Sequence, residues 1–426
     1  MKAMLWLALQ SAWNRRHTLC LTLVALSLSV AMLLGVERAR EAARQGFAQS
    51  IAGTDLIVGA RGSPVQLLLH SVFHLGEASH DMSWSSYQRL REDPAVAWAI
   101  PLTLGDSHQG FPVLGTNPEY FEHLRHGDQQ PLALASGRRF EQLFEVVIGA
   151  EVARQLGYRP GDRLTLSHGH DQGHEQESEA LPGHEDLPFE VVGVLARTGT
   201  PVDRTLHVSL QALEAIHLGW QGGVPLPGLR IPARFVQKFD LEPKRITAAL
   251  VGLENRAGVF RLQRALNQYS GEALQAVLPG VALDQLWSLL GVVEQTLAGV
   301  SLLVLAMGLS TMVAIVWAGL GERRRELAIL RSVGAGRRHI VALLALEGLL
   351  LSLAGALLGY GLLGLAAQAA AGWIQAELGL ALPAWGTPAR ELRLLAGVLL
   401  AGLCASLLPA WRAARLTLSD GLLPRL

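Results

Sequence analysis

The apolar residues of this chain gather towards its two ends, and each gathering reads as a helix long enough to cross a bilayer. The first runs from Thr18 to Val36, nineteen residues without a formal charge. At about 1.5 Å rise per residue, such a helix nearly matches the ~30 Å of a hydrocarbon core. The second, Gln295 to Leu320, is also uncharged and is bracketed by Glu294 and the run Glu322, Arg323, Arg324, Arg325, Glu326. The third, Ile340 to Ile374, carries one acid, Glu347, and its glycines Gly355, Gly359, Gly361 and Gly364 suit close helix packing in lipid. The fourth, Leu394 to Trp411, has no charge before Arg412, with Pro409 near its end.

The residues between the first two segments have ordinary globular composition, with acids, bases and turn formers mixed. They read as a folded domain inserted after the first span. Ala39 to Ile51 continues the first segment as a helix that Gly53 ends, and Ala282 to Glu294 leads as a helix into the second span. Strands are expected at DLIVGARG, FEVVIGA, DRLTLSH, FEVVGVLA and TLHVSL from β-branched content or alternation, and helices at Ala150 to Leu156 and Gly258 to Tyr269. The fold class is therefore membrane α-helical, four transmembrane helices, with a large α+β extracytoplasmic domain inserted between helices 1 and 2.

Basic residues near helix ends set the orientation, because they resist translocation. Lys2, Arg15 and Arg16 precede the first span; Arg323, Arg324, Arg325, Arg331, Arg337 and Arg338 lie between the second and third; Arg412, Arg415 and Arg425 follow the fourth. The expected layout is a cytoplasmic N-terminus (1–17), span 1 (18–36), the extracytoplasmic domain with helical stalks (37–285), a stalk end and span 2 (286–320), a cytoplasmic loop (321–339), span 3 (340–374), a short periplasmic loop (375–393), span 4 (394–411) and a cytoplasmic C-terminus (412–426). Span 1 is read as an uncleaved anchor, since GVERAREAARQ offers no small-x-small cleavage site.

Composition refines this only slightly. Half the residues are hydrophobic, and 36 Lys and Arg balance 36 Asp and Glu, so no global basic field points to nucleic acid. The two cysteines, Cys20 and Cys404, both sit in apolar runs and are expected as small core residues, not as a disulfide.

The loop GERRRELAILRSVGAGRRHI, residues 321–340, is the most informative stretch. From Glu322 to Arg331 charged residues alternate with Leu327, Ile329 and Leu330, as in an amphipathic helix lying at a membrane surface, and Gly334 and Gly336 then break it. With the ending PAWRAARLTLSDGLL (409–423) and the order of one helix, one large domain and three helices, the sequence resembles the MacB-like and FtsX-like permeases of type VII ABC transporters. Leu418 and Asp420 depart from the family's usual Pro and Glu in that ending. The stretch DLIVGARGSPVQLLLHSVFH (55–74) is similar to a subgroup of these permeases.

The resemblance implies an ATPase-coupling role for Glu322, Arg323, Arg324, Arg325, Glu326, Leu327, Ile329, Leu330 and Arg331, docked on a separate ABC ATPase subunit. It also implies a second permease copy, a homodimer in this case, with membrane lipids around it and a periplasmic adaptor or metal-binding protein as a further partner. ATP-driven motion would pass to the outer domain by mechanotransmission. The sequence has no Gly-x-x-x-x-Gly-Lys-Ser/Thr loop, no His-Glu-x-x-His and no Gly-x-Ser-x-Gly, so no catalytic residue is assigned and ATP is expected in the partner.

Twelve of the fourteen histidines fall in 37–285. The segment SHGHDQGHEQESEALPGHE puts His168, His170, His174 and His184 among acids, a donor set that suits zinc, copper or nickel, with zinc the cation favoured. The alternative is a polar loop whose histidines bind metals only weakly. His70 and His74, four apart, would share a helix face and form a second candidate, with His80 nearby; ordinary packing is the competing reading. Function is expected to be a permease in a metal-linked, efflux or envelope system. A lipoprotein-release permease, or a membrane-anchored metal-binding sensor or scaffold, are the alternatives.

Overall fold

The computed structural model describes residues 16–76, 80–168, 184, 186–221, 224–225, 231–322, 324–378 and 388–415. The first helix, α1 (Arg16–Ser50), runs unbroken past the expected end of the first span, and Gly53, at φ 83°, supplies the left-handed turn after it. There follow β1 (Leu56–Ala60), α2 (Pro64–Phe73), β2 (Val96–His108), β3 (Phe111–Thr116), β4 (Leu134–Gly137), β5 (Glu145–Ile148) and α3 (Ala150–Leu156). Next come β6 (Arg163–Leu164), β7 (Ser167–His168), β8 (Phe189–Leu195), β9 (Leu206–Ser209), α4 (Leu210–Ile216), β10 (Ala248–Leu253), α5 (Val259–Asn267) and β11 (Leu274–Val277). The chain ends in four helices, α6 (Pro279–Glu322), α7 (Arg324–Ser332), α8 (Arg337–Leu378) and α9 (Pro388–Arg415).

Contacts divide the chain into two compact units, Met1–Ala42 with Gly291–Trp373 and Leu382–Leu426, and Ala43–Leu290 with Ile374–Ala381. The second unit is built on an eleven-stranded sheet among the described residues, in the order β11-β1-β10-β2-β3-β9-β5-β8-β4, with β7 on β2 and β6 on β8. Pairing is antiparallel except for β9 with β3 and β8 with β5. The sequence segments expected as strands all contain one, but DRLTLSH is divided into β6 and β7.

Five of these strands lie outside the segments expected to form them: β2, β3, β4, β10 and β11. Their apolar runs, such as VAWAIPL and AALVGL, do not alternate because both faces of this part of the sheet are covered. In β1 the alternation is spatial and not chemical: Ile57 joins one buried cluster with Ile100, Leu102 and Leu114, whereas Leu56 and Val58 join another with Ala99, Ala249 and Val251. A third cluster, including Val113, Ile148, Val191 and Val208, lies under α4 through Ala212, Leu213 and Ile216.

In the helical unit, α1, α6, α8 and α9 are each long and apolar enough to cross a membrane. Small residues set their approach. A Cβ on Gly355 would stand 2.7 Å from that of Leu26, and one on Gly359 only 2.5 Å from the carbonyl oxygen of Ser27, so α1 and α8 touch along a Gly-x-x-x-Gly stripe. Gly308 meets Ser29 in the same way, and Gly402 meets Ser352. Gly361, also expected to serve packing, faces open space: a methyl group there would have nothing within 4 Å. Leu302, Leu303, Met307 and Leu400 project outward, which suits lipid as the surrounding solvent. Cys20 and Cys404 are free and exposed on these helices, contrary to the expectation of core positions.

Candidate functional site

Two groupings of polar residues stand out, one in each unit. The first begins with α7, which spans Arg324–Ser332, so Glu322 closes α6 instead of opening the amphipathic helix. Arg323 lies outside the described residues; Arg324, Arg325, Glu326 and Leu327 occupy the first turns of α7. Ala328 is buried, Arg331 and Leu330 are half-buried, and Ile329 and Val333, four apart, are exposed. Gly334, at φ 98°, ends the helix: its N–H reaches the Arg331 carbonyl at 3.1 Å, and that of Ala335 reaches Leu330 at 3.0 Å. This Schellman pairing satisfies the last carbonyls and turns the chain towards α8. The ending at 416–423 lies outside the described residues.

A set of ion pairs links the helices of the same unit, and composition gives no hint of it. Arg38 of α1 binds Glu391 of α9 in a bidentate pair, Nε to Oε1 at 2.5 Å and the second nitrogen to Oε2 at 3.3 Å, and both residues are only 4% exposed. The guanidinium also stands 5.1 Å over the Tyr360 ring of α8. Arg390 reaches Glu41 at 2.6 Å and Glu37 at 3.2 Å, and Arg40 reaches Glu294 of α6 at 3.0 Å. Ion pairs thus tie α1, α6 and α9 through residues just outside the expected apolar runs, and α8 joins them through the Tyr360 ring.

The second grouping belongs to the sheet unit and draws in the histidines. His70, in α2, is buried with Nδ1 2.9 Å from the Gly76 carbonyl. His74 is not on the α2 face: the helix ends at Phe73, and His74 takes the left-handed cap conformation at φ 54°. Its Nδ1 lies 2.9 Å from Thr205 Oγ1, and burial, aided by His207 and His70, pushes its pKa down to about 3. His74 therefore stays neutral within the core. His80 is exposed and borders, with His70, a hollow lined by Arg61, Gly62 and Ser63.

Of the His-rich segment, His170 and His174 lie outside the described residues, while His168 stands opposite Asp106 in the β7–β2 register. His184 is buried, its backbone N–H held by the Leu166 carbonyl at 3.0 Å. It meets two residues that sequence reasoning missed. His184, Asp106 and His217 bring one donor atom each to within 4.8 Å of one another. Asp106 comes from β2 at a bulge, where the register to β3 slips between Leu104 and Ser107. Such an extra residue re-aims side chains locally. His217 caps α4, whose start is fixed by Ser209 accepting from the Ala212 N–H at 3.1 Å. The helix lies close on β3 because Gly115 has no Cβ, which would stand 2.2 Å from Leu213 Cδ1.

The His217 Nδ1 lies 2.7 Å from the Leu213 carbonyl, so it donates there and turns Nε2 towards Asp106 Oδ1, 3.6 Å away. Burial lowers the His217 pKa, but the neighbouring Asp106 carboxylate and the Leu213 carbonyl outweigh it, leaving the pKa raised. The Trp220 ring lies 4.5 Å from that of His184 and forms a wall beside it.

With this geometry in place, comparison with known proteins adds the family. The family described as MacB-like periplasmic core domain matches residues 19–238, and that described as FtsX-like permease C-terminal matches residues 298–418. Among solved structures, the periplasmic region of MacB from Actinobacillus actinomycetemcomitans is similar at 14% identity and TM-score 0.32, over 57% of this chain and 98% of that one. The extracellular domain of the noncanonic ABC-type transporter YknZ from Gram-positive bacteria is similar at 14% identity and TM-score 0.29, over 53% of this chain and 99% of that one. No curated protein matches.

Proposed function

Because the chain belongs to the MacB-like and FtsX-like permease family of type VII ABC transporters, we propose that it is the membrane subunit through which a separate ABC ATPase moves the inserted domain. Members of this family are generally non-catalytic membrane subunits, and the family implies an ABC ATPase partner. The observation that carries the reading is α7, a short helix between two candidate spans that exposes Ile329 beside basic residues and ends in a fixed turn, where Val333 is exposed too. An ATPase surface with an apolar cleft and acidic rim would fit such a helix.

In this reading both termini and α7 face the cytoplasm, the inserted domain faces the periplasm, and two copies of the chain share two ATPases in the inner membrane. Nucleotide-driven closure presses on α7, tilts α6 and α8, and is passed on through α1 and α6, which run as unbroken helices into the inserted domain. The ion pairs of Arg38, Arg40 and Arg390 keep the helices moving together. A periplasmic adaptor or binding protein would receive the stroke.

Replacing Arg323, Arg324 and Arg325 by Glu tests this. A tagged, membrane-inserted variant is expected to lose the ATPase that copurifies with the wild-type chain, measured as phosphate release from ATP. Retention of full ATPase activity in the purified variant would overturn the proposal.

A further inference from the structure

We propose that Asp106, His184 and His217 form a site for one divalent transition-metal ion, with zinc the best fit. The proposal is independent of the ATPase reading and of the His-rich segment as a whole, since only His184 comes from it.

Three observations support it. First, the donors converge from separate parts of the fold: a bulge in β2, the residue tied by its backbone to Leu166, and the cap of α4. Their donor atoms lie within 4.8 Å of one another, whereas ligands about 2.0–2.2 Å from a tetrahedral zinc stand roughly 3.3–3.6 Å apart. The His217–Asp106 separation of 3.6 Å already has that spacing, and the three donor atoms need close only from within 4.8 Å to about 3.6 Å. Second, His217 is prepared as a ligand. Its Nδ1–H donates to a backbone carbonyl, which fixes the tautomer and orientation in the way that outer partners of metal-bound histidines do. Third, two imidazoles and one carboxylate are a borderline donor set that suits zinc, nickel or copper and is too poor in oxygen for calcium or magnesium.

Asp106 and His184 are both 4% exposed, while the His217 side chain is 38% exposed. The site therefore opens on the His217 side, where water can complete four-coordination. A bound ion would tie the chain at His184 to β2 and to α4.

The test uses the full chain purified in detergent, treated with chelator, and titrated with zinc chloride by calorimetry. One tight equivalent is expected. Asp106→Asn and His217→Gln should each weaken it at least tenfold, whereas the pair His170→Asn with His174→Asn should leave it unchanged. Cobalt(II) added to the unaltered protein provides a readout that does not depend on a variant folding. Intense visible bands of a four-coordinate ion are expected, bleached by one equivalent of zinc. The absence of those bands, or wild-type affinity in both triad variants, overturns the proposal. So does loss of binding in the His170 and His174 variant alone, which would assign the metal to the loop.

Discussion

The two units of this chain hold together by different means, and the difference shows what solvent does to a sequence. In the sheet unit, large side chains are withdrawn from water: Leu114, Ile100 and Val147 are fully buried between strands and helices. In the helical unit, many of the leucines point outward, and the contacts between helices rest on glycine, serine and buried charge. Apolar surface gains nothing by leaving lipid for protein, so close backbone approach and ion pairs take over where the hydrophobic effect stops.

The largest expected effect would sharpen that contrast. Arg38→Ala leaves Glu391 buried without its main partner and is expected to cost about 3–5 kcal/mol, read from thermal unfolding in detergent. The exposed pair of Arg91 with Glu119, at 2.7 Å, is expected to cost under about 1 kcal/mol when Arg91→Ala breaks it. Equal losses would show that burial in the helical unit is not what distinguishes its charges.

Next come the apolar cores. Leu114→Ala, in the sheet, is expected to destabilise by about 2–5 kcal/mol, because a fully buried side chain leaves a cavity. Leu303→Ala, in α6 and 67% exposed, should change stability by only a few tenths in detergent or lipid. A large loss at Leu303 would indicate a protein partner on that face.

Glycine substitutions give smaller effects of opposite sign. Gly359→Ala puts a methyl 2.5 Å from the Ser27 backbone oxygen, which cannot rotate aside, and about 1–3 kcal/mol of destabilisation is expected. Gly361→Ala meets nothing within 4 Å, so it should be neutral or stabilise α8 by up to ~1 kcal/mol through helix propensity. Matching signs would contradict the assigned α1–α8 contact.

The smallest effect is electrostatic. Arg138 donates to Glu145, whose Oε2 also accepts from the Glu141 and Gln142 backbone N–H groups at 2.8 and 3.0 Å, and the carboxyl is held down at about 2. A depressed carboxylate pKa stabilises the fold above the unfolded value and ceases to do so as pH falls through the folded one. Wild type should exceed Glu145→Gln in melting temperature at pH 7, and the two should converge between about 4.5 and 2. A constant difference across that range would remove the ion pair from the account.

Much of the helical unit was legible in the sequence, because length, absence of charge and the arginine clusters are local properties. The sheet unit was less so. Central strands such as β2 and β10 lack alternation, and a buried run cannot be told from a helix by periodicity alone. The His-rich segment drew attention to His184 by composition, yet its companions Asp106 and His217 stand 78 and 33 residues away, a separation that no motif spans. A bulge in a long strand and a lone residue at a helix end leave no composition signal.

By itself, then, the sequence determined the four long apolar helices, the short helix between two of them and the family, since each depends on neighbours along the chain. Which polar groups meet was decided by tertiary structure: Arg38 with Glu391, and Asp106 with His184 and His217. Strand register, a one-residue bulge and the close seating of α4 on Gly115 are properties of pairing, and pairing exists only once distant segments have packed.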